Sequence, residues 1–360
     1  MDNHTNHGDS AVQSSALPHA AVTPSPRKKK KLLHIEFLRI LCIWLVMFTH
    51  SATSGFSLYI PMQHSRWFPL YILVPFWVKI SVPIFFMISG ALLLGKDEPI
   101  SVVFKKRIWR FSQVLVTFSF ISYVAVYRNL NLVNFATLTY TSTLATAYYF
   151  LYLYLAFLLM LPIWRALTRS MTNTLYLYLI GLNLFFVGFI PVFSFSEPSF
   201  YFITGYWIEH VLPESWLTRK NLIRLGLAAI AGTLIAATMT WYHGYIAGGI
   251  TEENSQRFYD SFLFLNTAFV FCCARYWFTH HTVSERTRKI LTTLGSLSFG
   301  VMLFEEITRN ITRPILDWVL LKYSPHTPFI DAVIWICIAF ALGLVITYVV
   351  KKLPYFRTLI

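Results

Sequence analysis

The sequence predicts an all-α, polytopic integral membrane protein with about ten transmembrane helices, and three observations carry that prediction. Hydrophobic residues make up 56% of the chain and charged residues 13%, with a mean hydropathy of +0.55, a composition that cannot furnish a solvated surface of ordinary size. Apolar runs of the length that crosses a bilayer, about 20 residues, recur along the chain. Lys and Arg gather in short clusters between those runs, so the formal charge of +14 forms no contiguous stripe and does not indicate a nucleic-acid partner.

Residues 1–26 are rich in Ser, Asn, His, Pro and Ala and lead into Arg27-Lys28-Lys29-Lys30-Lys31. They predict a disordered basic cytoplasmic tail over 1–31, with His4, His7 and His19 solvated, and not a cleaved signal peptide. A transmembrane domain follows over 32–350, with spans expected at about 32–54, 68–94, 108–127, 147–167, 174–194, 198–213, 222–242, 260–278, 290–307 and 330–350. Residues 351–360 are expected to form a short cytoplasmic tail.

With the N-terminus inside, the segments on its side of the membrane hold 21 Lys and Arg and those on the other side hold six, while Arg39, Lys79 and Arg110 lie within spans or at their edges. Positively charged loops stay cytoplasmic. Both termini are therefore predicted on the cytoplasmic side of the cell membrane.

The cysteines Cys42, Cys272, Cys273 and Cys337 all fall in expected spans, without a CxxC pair or a His at ligand spacing. They predict apolar packing and no metal site.

Ionisable groups inside spans cost about 2.5 to 3.5 kcal/mol on insertion scales, and the first span carries Glu36, Arg39 and His50. Eleven residues at about 100° each turn through about 1100°, about 20° past three full turns, so Arg39 and His50 share a face roughly 16 Å apart along the axis. Glu36, three residues before Arg39, lies on that face too, and is expected to neutralise it.

Arg39, ten residues, then His50 resembles the R-x10-H signature of the acyltransferase family 3 membrane proteins. Further segments match in order. Ser81-Val82-Pro83-Ile84-Phe85-Phe86-Met87-Ile88-Ser89-Gly90 is similar to the family's second-helix motif, with Lys79 where a basic residue often precedes it. Lys105-Lys106-Arg107-Ile108-Trp109-Arg110 resembles the R-x-x-R that opens the third helix, and Phe150-Leu151-Tyr152 through Pro162 resembles the W-F-L-Y...P helix. Tyr201-Phe202-Ile203-Thr204-Gly205-Tyr206-Trp207 is similar to F-x-x-G-Y, and Leu294-Gly295-Ser296-Leu297-Ser298-Phe299-Gly300-Val301 to L-G-x-x-S-[YF]-G-[IV]. The resemblance covers about 32–350. It departs from the pattern at Ala147, where members often carry His, at Tyr149, which replaces Trp, and at Glu305, with Glu306 beside it, where the last segment commonly ends in His.

The resemblance implies about ten helices enclosing a polar cavity, and transfer of an acyl group, most often acetyl from acetyl-CoA in the cytoplasm. The acceptor it implies is a hydroxyl of a surface carbohydrate or lipid-linked glycan at the opposite face. Acyl-CoA is then a donor substrate and no cofactor is tightly held. Arg39, Lys105, Lys106, Arg107 and Arg110 would pair with the CoA phosphates. His50, deeper by three turns, would remove the acceptor's proton as a neutral imidazole. A covalent acyl-histidine route ranks second, because it needs another group to activate or orient the ring.

Lys79 is open between holding an anionic substrate group and pairing with a helical carboxylate such as Glu305. Glu305 and Glu306 are open between acceptor binding and an internal ion pair. His34 is expected at the interface and His280-His281 in a solvated loop. Tyr148, Tyr149, Tyr206 and Trp207 are candidates for a sugar-stacking surface. Acyl-CoA, a glycan or glycolipid acceptor and membrane lipid are the expected partners, and homodimerisation is left open. Two competing readings are a transporter or flippase for a lipid-linked sugar, against which the lack of a visible internal repeat weighs, and a relative that binds but no longer transfers.

Overall fold

Every regular element among the described residues, 32–128, 130–141, 148–190, 198–323 and 328–360 of the computed structural model, is helical. The expected basic tail, with its three His residues and its Arg and Lys cluster, and the altered position Ala147 lie outside the described residues.

The first helix, α1 (Leu33–Thr49), is apolar except around Glu36 and Arg39 and ends where His50 leaves helical geometry at φ −78°, ψ 3°. The stretch Phe68–Leu93 contains Pro69, Pro75 and Pro83, each in the first turn of a new helical piece, where a missing N–H costs no bond. Its longest piece is α2 (Ser81–Leu93). A π-helical turn at Val103–Ile108 leads into α3 (Trp109–Tyr127). Next come α4 (Tyr149–Leu159) and α5 (Leu161–Ser170), which meet at 65° where Pro162 interrupts the ladder.

Beyond them lie α6 (Asn173–Phe189) and α7 (Pro198–Tyr206). The long α8 (Arg219–Ile246) starts at Thr218, whose hydroxyl accepts from the Asn221 N–H at 3.3 Å, an N-cap. The chain continues through α9 (Leu263–His280), α10 (Glu285–Leu303), α11 (Glu305–Tyr323), α12 (Pro328–Val350) and α13 (Pro354–Leu359). The break at Phe304 sets α10 and the Glu305–Val319 part of α11 at 81°.

Helix α1 is the hub, packed against α2, α9, α10 and α12, and this is what encloses its polar residues. Helices α2 and α7 cross at backbone contact. A Cβ on Gly90 would collide with the Phe202 carbonyl, and one on Gly205 with the Met87 backbone. Small residues let helices approach this closely in lipid, which gives the Gly90 and Gly205 motif positions a structural reason.

The number of spans is corrected. Four described stretches are long and apolar enough to cross a membrane: Phe68–Leu93, Ile100–Ala125, Arg219–Ile246 and Pro328–Val350. The number rises to six if each bent pair, α4 with α5 and α10 with α11, makes one span. Helices α1 and α6 have 17 residues each and α7 only nine, against about 20 for a full crossing, and α9 is diluted by Asn266, Arg275 and His280. A sequence window counts turn residues past a helix end as if they prolonged it, which is how ten arose.

Leu227, Ile230, Leu234 and Trp241 on α8, and Ile334, Ile338 and Val345 on α12, are exposed. Apolar faces of this kind suit lipid, on helices whose backbone groups are satisfied internally. The chain is a multi-pass membrane protein. Cys42 and Cys272 are buried and Cys273 partly so, but Cys337 is exposed on α12, a departure from the expected buried packing.

Candidate active site

Among the described residues, two pockets lie beside α1. One, of about 660 Å³, is lined by Arg39, Lys96, Glu98, Lys106, Arg107 and Arg110, by Ser89, Ser296 and Ser298, and by apolar residues of α2, α3, α4 and α10. The other, of about 410 Å³, is lined by Thr49, His50, Lys79, Tyr149, Tyr201 and Asp260 among Val46, Val82, Pro83, Phe86 and Leu263. Aliphatic and aromatic side chains thus make up much of each wall, which corrects the expectation of a polar enclosure. Arg39 and His50 belong to different pockets, because three turns of α1 separate them by roughly 16 Å.

His50 is held from across the fold. Its Nδ1 lies 2.9 Å from Oε1 of Glu305, 255 residues away, and Glu305 is fully buried. Glu305 is the first residue of α11, exposed to the positive end of the helix dipole by the break at Phe304. Arg309, one turn on, forms an ion pair with the same carboxylate and donates from Nη1 to the His50 carbonyl at 3.4 Å. An ionised carboxylate only accepts, so in the arrangement with Glu305 ionised and the ring neutral the proton lies on Nδ1 and the lone pair on Nε2. Beside this group, the Ser122 hydroxyl donates to Glu306 at 3.2 Å.

At the other pocket, Arg39 Nη1 donates to Glu36 Oε1 at 3.3 Å, with Glu36 buried. The second carboxylate oxygen lies against Gly295, where a Cβ would collide with it and come within 2.9 Å of the Glu36 Cβ. The glycine of the Leu294-Gly295 motif makes room for the carboxylate that holds Arg39.

The expected basic cluster divides. The π-turn at Val103–Ile108 resets the helical register, and Lys106, Arg107 and Arg110 line the pocket whereas Lys105 does not. Arg107 is already engaged by Glu98, at 2.6 and 2.9 Å, and Arg165 donates to Glu98 at 3.0 Å. Glu98 sits between two spans, and the Arg107 guanidinium, with a smaller contribution from Arg165, holds its carboxyl down at about 2 against the upward push of burial. Arg110 donates to the Leu359 carbonyl of α13 at 3.2 Å, and Leu359 and Ile360 line this pocket. Arg107 is therefore a structural partner of Glu98.

Lys79 does not pair with Glu305. Its ammonium lies 5.6 Å from the centroid of the Tyr259 ring, a cation–π arrangement at the rim of the His50 pocket. His34 is buried within the fold, with Nε2 3.0 Å from Glu209. His280 and His281 are exposed. Of the candidate stacking aromatics only Tyr149 lines the His50 pocket. Tyr148 is fixed by donating to the Leu303 carbonyl at 2.8 Å, Tyr206 is paired with the His210 ring at 5.1 Å, and Trp207 stacks on Tyr176 at 5.7 Å.

Two groups at the site escaped the sequence reading. Arg309 is one of the six basic residues expected outside the spans, and its position four after Glu305 is the spacing of a helical ion pair. Asp260, at the very start of an expected span, is an ionisable residue of the kind that marks function in membranes.

The helices thus place a carboxylate-held imidazole at one pocket and several basic residues at a second. A family model for an acyltransferase domain, that of acyltransferase family 3, matches residues 32–352. The chain belongs to that family and is a membrane-embedded acyltransferase, and membership implies an acyl-CoA-dependent mechanism. A search of curated proteins and one of solved structures found no match.

Proposed function

We propose that the protein transfers an acyl group, acetyl in the first instance, from cytoplasmic acyl-CoA to a hydroxyl of a surface carbohydrate or lipid-linked glycan. The observation that carries this reading is the 2.9 Å contact between His50 Nδ1 and Glu305 Oε1. A carboxylate on Nδ1 orients the ring and leaves Nε2 to act as general base.

In this scheme Lys106, Arg110 and Arg39 pair with the phosphates of CoA. As the acceptor hydroxyl attacks the thioester carbonyl, its proton passes to His50 Nε2. The tetrahedral intermediate then collapses by breaking the carbon–sulfur bond, and the leaving thiolate takes that proton from the imidazolium. Glu305 and Arg309 offset the charge on the ring while it is protonated. Glu305 also fills the role of a second group on the imidazole. Direct transfer still accounts for the products without an acyl-histidine, and is preferred.

The basic ends of the helices, with Lys96, Arg107, Arg165, Arg275 and Lys351, favour a cytoplasmic position for the Arg39 pocket by the positive-inside rule. His50 then faces the opposite leaflet, and both termini are cytoplasmic. Mass spectrometry of cell-surface glycans from cells with and without the gene tests the assignment. Loss of an acyl ester of defined mass on deletion is the expected result, and unchanged glycan acylation argues against it.

A further inference from the structure

The two pockets have three lining residues in common, Phe85 on α2, Phe150 on α4 and Met302 on α10. We infer that these three form the seat of the donor's acyl group and restrict the enzyme to short acyl chains. The inference rests on the proposed placement of CoA phosphates at the basic pocket and of the base at His50.

With the phosphates at one pocket and His50 at the other, the thioester end of the donor has to reach the junction between them, with its carbonyl towards His50 and its acyl chain among these three side chains. None of the three side chains carries a strong hydrogen-bonding group, so the junction offers nothing to a phosphate and suits methyl and methylene groups. Met302 is buried at 3% exposure and Phe150 at 8%. Phe150 is held on several sides, with ring centroids 5.7 Å from Phe85, 5.2 Å from Phe86 and 5.9 Å from Tyr154. A ring fixed in this way cannot swing aside to admit a long chain. Met302 is the adaptable member, with an unbranched side chain of several rotatable bonds, and it sits on the opposite helix two residues before the break that presents Glu305. Its position ties acyl recognition to the His50 site.

Pocket size discriminates acyl homologues, with one methylene changing the specificity ratio by about tenfold or more. The test uses purified full-length protein in detergent micelles with acetyl-, butanoyl- and octanoyl-CoA as donors and the host's cell-surface glycan fraction as acceptor. CoA thiol release is followed for the wild type, Met302→Ala and Phe85→Leu, each checked for a monodisperse elution profile, so that one misfolded variant leaves the other informative. The wild type is expected to favour acetyl over octanoyl, and the variants to shift kcat/KM towards octanoyl by about tenfold or more relative to acetyl. An unchanged chain-length ratio in folded variants, or a wild type that uses octanoyl as readily as acetyl, overturns the inference. Failure of the underlying reading is distinguishable: no thiol release with any donor, or release that survives His50→Ala, removes the donor and base assignments and the junction with them.

Discussion

His50 and Glu305, 255 residues apart in sequence, meet at 2.9 Å through Nδ1 and Oε1, with Glu305 fully buried at the start of α11. A catalytic base at a membrane-embedded site needs one defined tautomer, and an ionised carboxylate supplies it by accepting only. Glu305→Gln retains the shape but can donate as well as accept, and it removes the charge that offsets the imidazolium. Steady-state acyl transfer is expected to show kcat lower by about 10² or more with KM for acyl-CoA little changed. A change confined to KM would contradict the role.

Glu36 is buried beneath Arg39. Arg39→Ala leaves that carboxylate without its cation, at a cost of about 3 kcal/mol, and a lower thermal midpoint in detergent is expected together with a raised KM for acyl-CoA. Adding Glu36→Gln removes the stranded charge, so the double variant is expected to recover the midpoint but not the KM. Recovery of both would show that Arg39 acts only through stability.

Three glycines form a graded series. A methyl group at Gly205 meets Met87 backbone, one at Gly295 meets the Glu36 carboxylate, and one at Gly181 meets nothing within 4 Å. Overpacking costs about 1 to 3 kcal/mol, more where the neighbour cannot move. Gly205→Ala is expected to be the most destabilising and Gly295→Ala intermediate, with Gly181→Ala neutral or better in thermal melting. Equal effects at all three positions would speak against the α2–α7 contact.

Glu98 makes stability depend on acid. Its folded value, about 2, lies below the ordinary 4.5, so the unfolded chain binds the proton more readily. The stability it contributes is fully present above pH 4.5 and is lost as pH falls towards 2. With the side chain 24% exposed, screening reduces this to about 1 to 2 kcal/mol. Melting curves of Glu98→Gln are expected to start lower at pH 7 and to fall less between pH 4.5 and 2 than those of the wild type. Parallel curves would contradict it.

Composition and apolar runs made the helical membrane class legible, because lipid imposes both. They overcounted the spans, because a hydropathy window does not register that α7 is only nine residues long or that α10 and α11 bend at Phe304. Arg39, Glu36 and His50 were legible because all three lie on or at the end of one helix, where about 100° per residue fixes their relations. Glu305 looked like a departure from the family pattern, since its bond to His50 spans the fold and no local spacing encodes it. Lys105 was grouped with Lys106, Arg107 and Arg110 by sequence proximity alone, although about 100° per residue sets Lys105 about 200° from Arg107 even on a regular helix, and it lies off the pocket wall. Lys79, open in the sequence between an anionic substrate group and a carboxylate such as Glu305, lies over the Tyr259 ring, a partner that charge arithmetic does not suggest.

His50 is the proposed base in acyl transfer. Purified protein in detergent, given labelled acetyl-CoA and the host's surface glycans, measures it directly in the wild type and in His50→Ala. Transfer of label in the wild type, with a rate lower by about 10² or more in His50→Ala at an unchanged thermal midpoint, is the predicted result. Full transfer by His50→Ala would contradict the account.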